Sequence, residues 1–299
     1  MRTNSPTAWC MSIFLLCAWA ASAQPAPSDA NPVAPDPQQQ KEELNLPKSS
    51  DPGKQPFLRN FVYDEWRMLS SPFRRSSYDT RTVKKYVIPF ALISAALIAT
   101  DKKTADILPN TADQSVWSGR VSQLGAAYTL AGASGAMYLF GKATNNKHAQ
   151  ETGWLSLEAL AHTQLIVFGI KQATNRLRPV TDDAPRGFWK GGDSFPSGHA
   201  ASSFAVATVF AYEYRHHIAV PITAYSLAAI ISASRVSARR HWASDIFVGG
   251  STGFLIGRYI YKRRHDPNLP GSPTRKVTGM RLMPEIGFGP NGLTLSWHL

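Results

Sequence analysis

The sequence predicts an all-α fold: a six-helix bundle embedded in a membrane, preceded by a disordered tether and followed by a small β-hairpin. Three observations carry this expectation. Apolar segments recur near 83–100, 121–141, 151–171, 199–214, 218–236 and 245–261. The joins between them are short and polar except for one loop at 172–198, the pattern of helices packed against their chain neighbours. Small residues crowd the apolar runs, as in GAAYTLAGASGA and AYSLAAIISAS, which suits close-packed membrane helices, although soluble helical cores use Ala and Gly too.

The opening MRTNSPTAWCMSIFLLCAWAASAQ pairs a basic Arg2 with an apolar run and the small-residue triplet Ala21-Ser22-Ala23. It reads as a secretory signal over 1–23, cut before Gln24, with an uncleaved anchor helix as the other reading. Both cysteines, Cys10 and Cys17, lie inside it. The processed chain therefore has neither disulfides nor thiolate metal ligands. Residues 24–55 contain seven prolines and no aromatic residue, too little apolar surface to offset the entropy of ordering, and are expected to form a flexible linker.

In 56–82, the stretch PFLRNFVYDEWRML gathers Leu58, Phe61, Val62, Trp66 and Leu69 on one helical face. Such a helix either lies in a membrane interface or packs on the main domain as a surface helix. The bundle itself is expected over 83–264. Its charge-free lengths are 15 residues for Tyr86–Thr100, 21 for Val121–Gly141 and 17 for Ile218–Ser234, against the roughly 20 that a spanning helix needs. In the tail 265–299, Leu293, Leu295, Trp297 and Leu299 alternate with polar residues after Gly289-Pro290-Asn291-Gly292, a hairpin pattern.

Three stretches share one logic, the capture of a phosphate: KQATNRLRP at 171–179, FPSGHA at 195–200 and SRVSARRHWASD at 234–245. Lys171 and Arg178, two helical turns apart, are expected on one face of a helix that Pro179 stops. Arg178 can fork onto two phosphate oxygens while Lys171 acts as a point charge. A helix starting at Pro-Ser-Gly-His gives Ser197 as cap, Gly198 as a close backbone approach and free N–H groups facing an anion. His199 in its first turn is placed to give a proton to a leaving oxygen. Arg235 adds a cation. His241 and Asp245, at i and i+4, are expected on one helical face, where the carboxylate holds one ring nitrogen and leaves the other free to attack phosphorus. The set supplies the charge stabilisation that a metal supplies elsewhere, so no metal or other cofactor is expected.

Lys-x6-Arg-Pro, Pro-Ser-Gly-His and Ser-Arg-x5-His-x3-Asp, in that order and without a substitution, resemble the three-part signature of the type 2 phosphatidic acid phosphatase superfamily, over roughly 83–262. The resemblance implies His241 as nucleophile, Asp245 as its partner and His199 as acid, with Lys171, Arg178, Ser197, Gly198 and Arg235 binding phosphate. It implies a phosphatase acting on a phosphomonoester or diphosphate, borne by a lipid. A soluble periplasmic acid phosphatase, a phosphotransferase and a vanadium-dependent haloperoxidase are the other readings of the same pocket. Histidines 148, 162, 216, 217, 265 and 298 are assigned no role.

The net charge of +12 suits a phosphorylated lipid or an anionic bilayer surface. The basic residues are dispersed and match no nucleic-acid-binding motif, which argues against nucleic acid, and no protein partner is inferable. A cleaved signal and six spans would put the site in the cytoplasm. The basic residues Arg74, Arg75, Arg81, Lys84 and Lys85 before the bundle, and Lys262, Arg263 and Arg264 after it, instead place those ends inside. The expectation is an envelope enzyme of the inner membrane whose site faces the periplasm, with a soluble periplasmic form as the alternative. Loop 180–195 and the mouth of the bundle are expected to select the head group.

Overall fold

The computed structural model describes residues 57–70, 80–108, 111–179, 187–271, 283–289 and 292–298. The expected signal and linker, and the loop residues 180–186, lie outside the described residues. The fold is an all-helical bundle. In chain order its helices are α1 (Phe57–Ser70), α2 (Ile88–Ile107), α3 (Ala112–Gln123), α4 (Ala127–Ala143), α5 (Lys147–Thr174), α6 (Gly198–Glu213), α7 (Ala219–Ser237) and α8 (Ala243–Arg264). A π-helical turn, Val83–Val87, leads without a break into α2.

Side-chain caps fix several of these boundaries. Asn146 accepts from Ala149 N–H at 3.0 Å to start α5, Ser197 accepts from Ala200 N–H to start α6, and Thr111 accepts from Gln114 N–H to start α3, each satisfying a donor that the first helical turn leaves orphaned. One expectation fails here. The run 121–141, the longest free of charge, is not one helix: Leu124, Gly125 and Ala126 break it into α3 and α4. At Gly125 a Cβ would collide with Ile231 of α7 and come within 2.7 Å of Ser203 Oγ in α6, so the chain turns where only glycine fits.

Helix α6 is the hub, packed against α5, α7 and α8. Leu155 and Ala159 of α5, Ala205 and Val209 of α6, and Ile256, Ile260 and Tyr261 of α8 form the main apolar core, with a second cluster of Phe204, Ala207 and Ala228 toward α7. Helices α6 and α8 meet along a glycine seam. A Cβ at Gly249 would sit 2.5 Å from Ser197 O, one at Gly257 2.5 Å from Ala205 O, and one at Gly253 would overlap Ala201 O.

Many large apolar side chains of the bundle face outward, among them Leu92, Leu139, Phe140, Phe168, Ile222, Ile230 and Leu255. Among the described residues two stretches, Val83–Ile107 and Ala219–Ser237, are long and apolar enough to cross a membrane.

Helix α1 docks the opposite way from an ordinary surface helix. Its acidic side faces inward: Asp64 is fully buried against Arg263 (2.6 Å), Arg264 (2.5 Å) and Tyr259 Oη (3.0 Å), and Glu65 meets His162 at 2.5 Å. The expected apolar face splits. Phe61 stacks on the His162 ring, while Val62, Trp66 and Leu69 point outward, Trp66 with 67% of its surface exposed. Past residue 271, β1 (Met283–Gly289) and β2 (Gly292–His298) pair antiparallel with Gly289 opposite Gly292.

Candidate active site

The end of α5, the start of α6 and the join between α7 and α8 converge at one end of the bundle. The first motif does not do so as a continuous helix. Asn175 adopts the left-handed conformation (φ 43°) and its N–H closes on Lys171 O, so α5 stops at Thr174 and Arg178 reaches the site from a loop rather than from the helical face shared with Lys171. Asp193 joins the two cations. Arg178 donates to both its carboxylate oxygens, Nε at 2.9 Å and Nη2 at 2.7 Å, and Lys171 Nζ donates to its main-chain carbonyl. Burial works against the Asp193 charge, but the Arg178 fork and the nearby positive charges hold its carboxyl below the usual range.

The second motif folds as expected, with Ser197 fully buried at the N-cap of α6. A Cβ on Gly198 would touch only Val167, at 3.7 Å, so no protein contact demands glycine there. What glycine adds is a bare backbone on the side an anion would approach. His199 is half-buried. Burial first, then the charges of Arg235, His241, Arg178 and Lys171, push it down to about 4, which also places all three motifs within electrostatic reach of one imidazole.

The third motif departs from expectation. His241 precedes the helix: Trp242 is the N-cap of α8 and Asp245 is its third residue, accepting from Trp242 N–H at 2.9 Å. The two side chains do not share a helical face. His241 Nδ1 lies 2.8 Å from the Ser194 carbonyl and 3.5 Å from Asp245 Oδ2. A carbonyl only accepts, so this bond puts the proton on Nδ1 and leaves Nε2 with its lone pair. Burial outweighs the neighbouring Asp245 and lowers the His241 pKa, which keeps the ring neutral.

Asp245 is held mainly by others. Its Oδ1 accepts from Arg176 Nη1 at 2.6 Å and its Oδ2 from Ser194 Oγ at 2.5 Å, and its main-chain carbonyl accepts from Ser197 N–H at 3.0 Å. Arg176 is 5% exposed. It bridges on to Asp101 of α2 at 2.7 Å, Asp101 also accepts from the Ser244 N–H and hydroxyl, and the guanidinium packs against Phe188, Phe195 and Trp242. Sequence reading missed Arg176, Asp101, Ser194 and Asp193. Arg176 stood inside KQATNRLRP as a third cation, which was the one available signal. Arg235 donates to Ser122 Oγ of α3 at 3.0 Å, the contact that brings α3 to the site.

This end of the molecule thus holds a neutral imidazole with an available nitrogen, a second imidazole, three cations and a helix N-terminus. Such a set can bind a tetrahedral oxyanion and attack it.

Residues 152–268 match the family model described as the PAP2 superfamily. Over 92 residues the chain is 37% identical to a lipid A 1-phosphatase of Porphyromonas gingivalis, a match covering 30% of this chain and 19% of that protein. The chain therefore spans about a fifth of the length of this curated relative. Among solved structures it is similar to a transmembrane PAP2-type phosphatidylglycerolphosphate phosphatase from Bacillus subtilis, with a TM-score of 0.46 and 20% identity, over 60% of this chain and 96% of that one. It is also similar to Aquifex aeolicus LpxE, with a TM-score of 0.42 and 24% identity, over 59% and 94%.

Proposed function

We propose, from the match of its residues 152–268 to the PAP2 superfamily model, that the chain is a phosphatase that cleaves a phosphomonoester or diphosphate of a membrane lipid through a phosphohistidine intermediate. The observation that carries the mechanism is the His241 Nδ1 bond to the Ser194 carbonyl, which fixes the tautomer with Nε2 as nucleophile. The phosphate enters by displacing the Asp193 carboxylate from Arg178 and settles among Lys171, Arg178, Arg235 and the N–H groups at the start of α6. His241 Nε2 attacks phosphorus, the bond to the leaving oxygen breaks, and that oxygen takes the proton that a substrate monoanion brings and His199 relays. Water then attacks the phosphorus, returning its proton to His199 and releasing inorganic phosphate. No step requires a metal.

The outward-facing apolar side chains and the two candidate spans support a membrane location and a lipid substrate. The likeness to the lipid A 1-phosphatase of Porphyromonas gingivalis makes the 1-phosphate of a lipid A-type glycolipid the first substrate to try. The positive-inside pattern supports a site facing the periplasm: fusions after residues 145 and 265 are expected to report cytoplasm and one after 190 periplasm.

The test is phosphate release from lipid A 1-phosphate, phosphatidate, isoprenyl diphosphate, phosphatidylglycerophosphate and a soluble aryl phosphate, comparing wild type with His241→Ala and with vanadate. Release that disappears in the variant and with vanadate supports the reading. Full activity in His241→Ala overturns it.

A further inference from the structure

The far end of the bundle holds a second cluster that phosphate chemistry does not use. Helix α6 runs from Ser197 at the phosphate site to Glu213 over 16 residues, which sets the two ends about 24 Å apart. At that far end the first turns of α5 bring His148 and Glu151, α6 ends on Glu213, and His265 caps the end of α8. Glu213 and His148 are buried, and the His265 and Glu151 side chains are 9% and 11% exposed.

We propose that Glu151, Glu213 and His265 form a binding site for one divalent transition-metal ion of the zinc class. One ligand atom from each of the three lies within 4.8 Å of the other two. His265 Nδ1 is 3.1 Å from Glu213 Oε1 and 3.4 Å from Glu151 Oε1, close to the roughly 3.4 Å edge of a tetrahedron whose centre is about 2.1 Å from each ligand. Without a metal, a protonated His265 shares its Nδ1 hydrogen between the two carboxylates, and a bound ion would take the place of that proton. A second observation is that Glu151 Oε2 is shut off from solvent with no hydrogen-bond partner, a cost of about 1–3 kcal/mol that a cation bound through both oxygens of that carboxylate would remove.

The surroundings have the form of an outer shell. His148 Nε2 meets the other oxygen of Glu213 at 2.8 Å, leaving Oε1 for the centre, and the Asp266 N–H holds Glu151 Oε1 at 2.7 Å. Such contacts orient ligands and raise metal affinity. Nitrogen and oxygen donors in this proportion suit zinc, cobalt and manganese rather than calcium. The bound ion would tie the ends of α5, α6 and α8 together, a structural clamp remote from the phosphate.

The experiment uses the full chain in detergent, without a histidine tag, stripped with chelator, dialysed against zinc and assayed for metal content, alongside Glu151→Gln, His148→Gln and His241→Ala. One equivalent of zinc is expected in wild type and in His241→Ala. Glu151→Gln is expected to lose it, and His148→Gln to bind about 10–100-fold more weakly. Cobalt added to wild type alone provides a measurement independent of variant folding: intense visible bands of four-coordinate cobalt are expected, and only the faint colour of aqueous cobalt overturns the proposal. Zinc lost from His241→Ala but kept by Glu151→Gln also overturns it, since the metal then belongs to the other end.

Discussion

Arg176 Nη1 lies 2.6 Å from Asp245 Oδ1, closer than the 3.5 Å that separates that carboxylate from His241. The carboxylate is thus anchored by a buried guanidinium, which is itself anchored by Asp101, before it acts on the imidazole. Removing one member of a buried ion network leaves uncompensated charge, a loss of about 3–5 kcal/mol. Arg176→Ala is expected to lower the melting temperature in line with that loss and to reduce kcat far more than KM. Thermal unfolding beside phosphate-release kinetics checks both.

The Asp193 carboxylate forks onto Arg178 where a phosphate would. It is an exposed pair, worth about 0–1 kcal/mol, so releasing it strengthens anion binding by no more than about fivefold. Asp193→Asn is expected to lower the inhibition constants of vanadate and inorganic phosphate by two- to fivefold. Unchanged constants would mean that the carboxylate does not compete for the site.

His199 lies outside both candidate spans, and burial together with the charges of Arg235, Arg178 and Lys171 holds it at about 4. It is neutral in the empty site at neutral pH, so the leaving oxygen's proton must arrive with a substrate monoanion, whose second pKa is about 6. On that account kcat/KM falls as pH rises through about 6 and is highest on the acid side. His199→Ala is expected to cost about 10²–10⁴-fold on an alkyl phosphate and much less on an aryl phosphate with a good leaving group. A pH profile of kcat/KM with both esters decides it.

Trp66 carries the outward apolar face of α1. Moving one large apolar side chain out of lipid costs about 1.5–3 kcal/mol. Trp66→Glu is therefore expected to weaken vesicle cosedimentation about tenfold or more and to slow turnover of a lipid substrate, with turnover of a soluble aryl phosphate unchanged.

The sequence made the helices and the three motifs legible because apolar periodicity and residue order are local properties. It did not make legible what lies between motifs. Asp101 and Ser244 meet across 143 positions and Arg176 and Asp101 across 75, and no spacing rule spans such distances. Both face arguments, for Lys171 with Arg178 and for His241 with Asp245, assumed an unbroken helix. Asn175 ends one such stretch and Trp242 begins the other. Helix α1 shows a different limit: a pattern tells which residues are apolar and leaves open whether water, protein or lipid faces them. Glu151, Glu213 and His265 escaped because their separations match no metal-ligand spacing.

The glycine seam between α6 and α8 sets how freely this protein can change. His199 hangs from one side of the seam, and His241 and Asp245 stand at the head of the other, so their separation is dictated by main chain pressed on main chain rather than by adjustable rotamers. One added methyl, as in Gly253→Ala, has to push against the Ala201 carbonyl. It is expected to cost about 1–3 kcal/mol in stability and to lower turnover of every substrate in the same proportion. In the loop at 187–193 Gly192 is pressed on the Arg176 carbonyl in the same way, whereas the side chains of Trp189 and Lys190 are exposed. New substrates can be accommodated there by substitution while the reacting groups keep their spacing, so versatility and chemistry occupy different parts of one chain.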